Sequence, residues 1–346
     1  MNRKLAETLA SADKPTETWT SLDGSTALVL PYGGRILGLF APESERNFFW
    51  THPALDAAET ARAFYQSAEW HNSGGDRTWL APEVDFFFPN FPKLDPYWQP
   101  REFDPGNYRV EQLNGSMVLT NRFTYKLSRS QQTVDLEVSK RLTPAPNPLR
   151  NLDCAERLSF AGYTLHTRLA FGDGKAGPVQ VGLWSLLQFP HGGEMLFPTF
   201  SKATITTFFG QIDAGDLSIG PHMVRYMMRA QGEHKLGLQA AVVIGRVGYL
   251  HSEGADSCLV IRNFSVNPSG DYVDVPWTEP DCAGFAIEAC NVNSHLGSFS
   301  ELEYHVPAIG GPGGERACED ASQVWAFRGR REDILEAARM LISSDV

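Results

Sequence analysis

The 346-residue sequence predicts an all-β protein built from packed antiparallel sheets. Three observations carry that reading. Runs rich in Val, Ile, Leu, Thr and aromatic residues recur along the chain, broken by Gly, Asn, Asp and Pro. Only one long segment, close to the C-terminus, has a clear helical period. Strands do not alternate with helices as βαβ units require, which points to antiparallel layers.

In chain order, two short helices are expected first, Arg3–Ala12 and the Ala-rich Pro53–Gln66. Strands are expected over Thr26–Leu30, Arg35–Phe40, Tyr108–Leu113, Met117–Leu127, Thr133–Leu142, Leu165–Phe171 and Val179–Phe189. The series continues with Ala203–Phe209, Leu236–Ile244, Cys258–Val266, Ala283–Cys290, Phe299–Val306 and Gln323–Arg328. Asn114-Gly115-Ser116 between Tyr108–Leu113 and Met117–Leu127 marks a hairpin turn, with a glycine free to take positive φ. Pro82–Pro105 holds too many prolines for a paired strand and too many aromatics for a free linker, so an ordered loop over a sheet face or cleft is expected. Arg331–Ser343 reads as a terminal helix with Ile334, Leu335, Ala338 and Leu341 along one stripe. No linker of boundary quality and no internal repeat stands out. The expectation is one domain over 1–346, with 1–25 as an N-terminal extension.

Composition narrows the function classes. Thirty Lys and Arg face 41 Asp and Glu, a net charge of −11, with 42% hydrophobic and 21% charged residues. That is ordinary for a soluble globular chain. It offers no basic patch to displace counterions, so neither nucleic acid nor an anionic membrane is an expected partner. No apolar run approaches the ~20 residues that span a bilayer, and Met1–Pro15 lacks the apolar core of a secretory signal. A cytoplasmic location is the expectation. The five cysteines (Cys154, Cys258, Cys282, Cys290, Cys318) form no CxxC pair and read as reduced thiols. No metal-ligand spacing emerges among His191, His222, His234 and His251, and no cofactor or metal is expected. The GxSxG, HExxH, Walker A and GxGxxG signatures are missing, and Gly172–Gly177 lacks the spacing of a phosphate loop.

Three segments carry chemistry. The first, His71-Asn-Ser-Gly-Gly-Asp-Arg-Thr-Trp-Leu-Ala-Pro-Glu83, places Asp76 and Arg77 beside Trp79 after a tight Gly74-Gly75 turn. Such residues suit a polyhydroxylated ligand, which needs bidentate hydrogen bonds and an aromatic face. A solvated turn pair with Trp79 in the core fits the same residues. The second is Gly297–Pro307. As a strand it sets Glu301, Glu303 and His305 on one face, neighbours about 6.8 Å apart, with Leu302, Tyr304 and Val306 on the other. That row can hold a proton acceptor and a partner over a sugar ring, and its like charges raise at least one carboxylate pKa. A half-buried strand with a polar outer face has the same pattern. The third, Gly182–Pro190, puts Trp184, Leu186 and Gln188 on one strand face. Trp184 and Gln188 suit stacking and hydrogen bonding, although an apolar-strand Trp is more often core.

With these segments in view, the chain resembles the aldose 1-epimerase (galactose mutarotase-like) superfamily, and in particular an uncharacterised bacterial branch of it. The likeness runs from about Thr26 to Leu341. It is carried by Pro31-Tyr-Gly-Gly-Arg-Ile36, the Gly74–Glu83 block, Lys235-Leu-Gly237, Gly297-Ser-Phe-Ser-Glu-Leu-Glu303 and Phe327-Arg-Gly329. The resemblance implies a β-supersandwich of two large, twisted, mostly antiparallel sheets with a C-terminal helix and a sugar cleft on a concave face. It also implies acid–base chemistry: a Glu removes the anomeric hydroxyl proton while a His protonates the ring oxygen.

By that likeness the base falls on Glu303, with Glu301 as the alternative. The strand that carries the acid histidine in epimerases resembles Val181–Phe189, which contains no His, so His305 or His71 is the candidate acid. Arg77 and Asp76 would grip hydroxyls or a uronate, Trp79 or Trp184 would stack, and Gln188 would hydrogen-bond. The expected partner is a small sugar or glycan. A carbohydrate-binding protein without turnover is the alternative, and a glycoside hydrolase or polysaccharide lyase the third reading. The sequence leaves the oligomeric state open.

Overall fold

A computed structural model describes residues 3–172, 177–279 and 281–346. The central part of the glycine-containing stretch 172–177 therefore lies outside the described residues. Two antiparallel sheets of ten strands each form the body. The first runs Glu17–Thr20, Thr26–Leu30, Arg35–Phe40, Asp76–Ala81, Gln180–Phe189, Gly297–His305, Ile287–Ser294, His234–Leu238 and Thr206–Phe209, neighbour to neighbour. Ile309–Gly310 adds a short pairing beside the start of Gln180–Phe189. The second sheet runs Leu217–Ile219, Met223–Met228, Gly193–Pro198, Arg246–Glu253, Asp256–Asn263, Ala317–Gly329, Ser159–Phe171, Thr133–Pro144, Ser116–Lys126 and Arg109–Leu113.

The main core lies between the sheets, and smaller cores cover parts of their outer faces. In Thr26–Leu30, Ala27 and Val29 join the main core, while Leu28 and Leu30 meet Leu5, Leu9 and Tyr65 of two helices, Arg3–Ser11 and Ala58–Gln66. A strand covered on both faces reads as a continuous apolar run, which is how this one appears in the sequence. The terminal helix, Arg331–Leu341, sets Ile334, Ala337 and Ala338 against Leu259, Ile261 and Phe327 outside the second sheet. The helices cap only one end of the first sheet's outer face. Its central strands are instead rimmed by the Pro82–Pro105 segment and the irregular chain around Asp274 and Trp277.

The Asn114-Gly115 turn closes its hairpin with both residues at positive φ (48° and 79°), joining Leu113 to Ser116 in register. The second expected helix divides into a 3-10 turn, Pro53–Asp56, followed by Ala58–Gln66. Several strands escape the sequence pattern, among them Gly193–Pro198, Met223–Met228 and Arg246–Glu253. The most consequential is Asp76–Ala81, which reads as a loop and is a fully buried central strand. Two charges after a Gly-Gly pair look like a turn, but both are neutralised by partners from distant parts of the chain. Gly74 and Gly75 take φ of 102° and 76°, and a Cβ on either would stand 2.3 Å from a backbone oxygen, of Trp50 and Ile36 respectively. The pair therefore lets one strand end pass tightly under its neighbours.

All five cysteines are free thiols, three of them buried. Among the described residues no helix is long and apolar enough to cross a membrane.

Candidate functional site

Five adjacent strands build the floor of a cleft on the outer face of the first sheet: Asp76–Ala81, Gln180–Phe189, Gly297–His305, Ile287–Ser294 and His234–Leu238. Their register sets the cleft-facing side chains in rows. Trp79 pairs with Trp184 and Trp184 with His305; Arg77 pairs with Leu186, Leu186 with Glu303 and Glu303 with Glu288. A further row joins Gln188, Glu301, Cys290 and Lys235. The cavity above holds about 310 Å³. Trp70, Tyr97, Phe209, Trp277 and Phe299 form its walls, and Glu303, Glu301, Arg77, Trp79, Trp184 and Lys235 line it.

Two buried ion groups occupy the floor. Arg77 donates to Glu301 at 3.0 and 3.3 Å and to Asn72 Oδ1 at 3.2 Å, with its guanidinium 3.9 Å above the Trp79 ring. Burial pushes Glu301 up to about 7, against the downward pull of Arg77. Gln188, wholly buried beside Glu301, pulls in the same direction as Arg77.

The second group centres on Lys235. Its Nζ is 2.6 Å from Glu288, 3.1 Å from Glu303 and 3.8 Å from each of Glu83 and Asp274. Burial alone would lower its pKa, but the four carboxylates outweigh that and hold the ammonium charged. Trp184 Nε1 donates to Glu303 Oε2 at 2.9 Å. Glu83 accepts from Tyr97 at 2.6 Å and from Trp277 Nε1 at 2.5 Å, tying both wall aromatics to the floor. Glu288 and Glu303 face each other across their strand pair and compete for the one ammonium. Burial raises both of their pKa values, as four carboxylates around one ammonium require.

Other expected residues lie elsewhere. Asp76 faces inward, because the period of two in its strand sends it opposite to Arg77. Its Oδ2 takes a 2.6 Å bond from Arg262 and a 2.5 Å bond from Tyr163, both on the second sheet. It clamps the sheets together and does not reach the cleft. His71 sits under the N-terminal helices, with Nδ1 2.6 Å from Tyr32 Oη and Nε2 near Ser67. His305 shares the face of Glu303 but is sealed under the floor, stacked on Trp184 and 2% exposed. Burial pushes its pKa down to about 4, leaving a neutral imidazole. Neither histidine is among the residues lining the cleft.

The sequence pattern missed Glu83, Lys235, Asp274, Glu288 and the wall residues Trp70, Tyr97 and Trp277. Lys235 and Glu83 fall inside blocks that carry the family likeness, and that was their only signal. Asp274 and Glu288 have none, since strand pairing alone brings them to Lys235. Among the described residues, Asp274–Glu288–His305 and His251–Glu253–Cys258 are groupings able to hold a metal ion.

The architecture that the resemblance implied, two large antiparallel sheets with a C-terminal helix, is the one observed. The chain is similar to the Slr1438 protein of Synechocystis sp. PCC 6803, with TM-score 0.50 and 12% identity over 92% of this chain and 96% of that one. It is also similar to a galactose mutarotase-like protein of Lactobacillus casei ATCC 334 (TM-score 0.48, 9% identity, 91% and 99% covered). A third similar structure is the galactose 1-epimerase of Lactobacillus acidophilus NCFM (TM-score 0.46, 9% identity, 91% and 95% covered). At such identities likeness speaks to fold alone. No curated protein matches the sequence. A family model matches residues 25–345, and the chain belongs to that family of unknown function, DUF6786.

Proposed function

We propose that the cleft binds a single sugar residue and interconverts its anomers by acid–base catalysis, with Glu303 as the base. The observation that carries this reading is the position of Glu303 on the floor of an aromatic-walled cleft. One of its oxygens is held by Trp184 at 2.9 Å and Lys235 at 3.1 Å. That arrangement fixes the carboxylate and stabilises its anionic form, while the second oxygen is available to a ligand hydroxyl. Trp79, Trp184 and Trp277 supply aromatic surface for the C–H face of a sugar. The 310 Å³ volume lies at the small end of ligand pockets, ~300–1,000 Å³, which favours a monosaccharide over a polymer.

In this reading Glu303 takes the proton of the anomeric hydroxyl, a C=O bond forms at the anomeric carbon and the bond to the ring oxygen breaks. The ring oxygen receives its proton from Glu301, whose pKa near 7 keeps a useful fraction protonated at neutral pH. Rotation of the open aldehyde and the reverse transfers give the other anomer, with both carboxyls restored. Glu301 thus takes the acid role that the two candidate histidines are too remote or too enclosed to fill.

The second reading, a carbohydrate-binding protein without turnover, is favoured by one observation: Glu301 is already engaged by Arg77 in a two-contact pair. Tryptophan fluorescence titrated with aldohexoses, pentoses and uronic acids, beside NMR measurement of anomer exchange, separates the two. Saturable quenching with exchange above the buffer rate supports the epimerase, whereas quenching at the buffer rate supports the binding protein. The absence of quenching across the panel would remove both.

A further inference from the structure

Beneath the cleft floor, three side chains from separate segments turn toward one point. A ligand atom of each of Asp274, Glu288 and His305 lies within 4.8 Å of the other two. Asp274 and Glu288 are fully buried and His305 is 2% exposed. His305 Nε2 stands 3.3 Å from Glu288 Oε1, yet neither ring nitrogen has a hydrogen-bond partner among the described residues. Asp274 accepts the Glu83 amide through Oδ1 at 2.6 Å, leaving Oδ2 without a hydrogen bond. Glu288 meets Lys235 through Oε2, leaving Oε1 toward His305. A buried polar group left unpaired costs ~1–3 kcal/mol, and here unpaired groups from three elements converge.

We propose that Asp274, Glu288 and His305 form a binding site for a divalent transition-metal ion of the zinc class, lodged under Glu303. The donor set is one imidazole nitrogen and two carboxylate oxygens, which suits zinc and its neighbours better than calcium with its six to eight oxygens. Ligands ~2.0–2.2 Å from such an ion in tetrahedral geometry stand about 3.3–3.6 Å apart; His305 Nε2 and Glu288 Oε1 already do, at 3.3 Å, and a separation as wide as 4.8 Å closes with a shift of about an ångström. Charge favours the ion as well. Fully ionised, Glu83, Asp274, Glu288 and Glu303 oppose the single ammonium of Lys235, and a dication would offset the negative charge that Lys235 alone leaves uncompensated. The second grouping is less open to an ion: Glu253 is held by Arg46 and Arg328 and accepts the Cys258 thiol. The inference stands whether or not the cleft turns over a sugar.

The test is calorimetric titration of the EDTA-stripped full-length protein with zinc chloride, repeated with cobalt chloride under visible spectroscopy. One ion per chain is expected, with proton release on binding and a cobalt spectrum free of thiolate charge transfer. His305→Ala and Asp274→Asn should each lose the stoichiometric uptake, while Cys258→Ala keeps it. Far-ultraviolet circular dichroism checks folding, and if His305→Ala fails to fold, Asp274→Asn and the wild-type cobalt spectrum decide. Uptake no greater than that of a folded Asp274→Asn variant overturns the site. So does a thiolate band that disappears in Cys258→Ala, which would put the ion at the second grouping.

Discussion

Asp76 and Arg77 are adjacent in sequence, and the pleat sends them to opposite faces of one strand. Arg77 meets Glu301 on the cleft floor, and Asp76 meets Arg262 between the sheets. Asp76→Ala is therefore expected to leave Arg262 buried without its counter-ion and to cost ~3–5 kcal/mol of stability. Urea unfolding measures this, and a loss under 1 kcal/mol would mean that Tyr304 and Ser322, the other partners of Arg262, suffice to hold it. Glu301 makes a prediction of its own. Its folded pKa, near 7, lies above the usual carboxylate value of 4.5, so its stabilising contribution is full below about 4.5 and lost as pH rises through 7. Arg77, Asn72, Gln188 and Cys290 surround the group, and none of the changes tested alters them. A Glu301→Gln variant should flatten the fall in melting temperature between pH 5 and pH 8 (about the range in which that pKa acts). An unchanged pH profile would place the titration elsewhere in the cluster.

Among the elements, legibility followed the number of covered faces. Thr26–Leu30 and Arg35–Phe40 carry the expected bounds because apolar runs flanked by turn residues have few other readings. Asp76–Ala81 was lost because its signal is charge, and the charges are meaningful only once the second sheet and Glu301 are in place. On Gly297–His305 the period of two did place Glu301, Glu303 and His305 on one face. What the period cannot reveal is depth: Trp184 and the next strand leave Glu303 at the cleft and close over His305. Pro82–Pro105 was legible as ordered cover, and its Tyr97 anchors a cleft wall through Glu83. The terminal helix is an independent packing unit outside the second sheet, with Ile334 fully buried. Ile334→Ala should destabilise the protein by ~2–5 kcal/mol while leaving any cleft activity per folded molecule unchanged. Thermal unfolding beside an activity assay checks both halves, and a change in the cleft would show that the two faces are coupled.

At the scale of the whole molecule, the arrangement joins two requirements that conflict at any single residue. The sheets must exclude water to hold together, and the proposed chemistry needs charges ready to move protons. The conflict is resolved by clustering: four carboxylates share one buried ammonium, with the rim aromatics Tyr97 and Trp277 tied to one of the same carboxylates. The resemblance to the galactose mutarotase-like superfamily made the two-sheet plan legible. It left the acid to His305 or His71, because the strand expected to carry a histidine carries Trp184 and Ser185 instead. The cluster itself is invisible in sequence, since Glu83, Lys235, Asp274, Glu288 and Glu303 are scattered over more than half the chain and only strand order assembles them. The base role of Glu303 is tested most directly by two-dimensional exchange NMR of α- and β-anomers with wild-type protein and Glu303→Gln side by side. Exchange above the buffer rate is expected for at least one sugar, with its loss by ~10²–10⁴-fold in Glu303→Gln. Equal exchange in the two proteins, with both folded, would contradict that role.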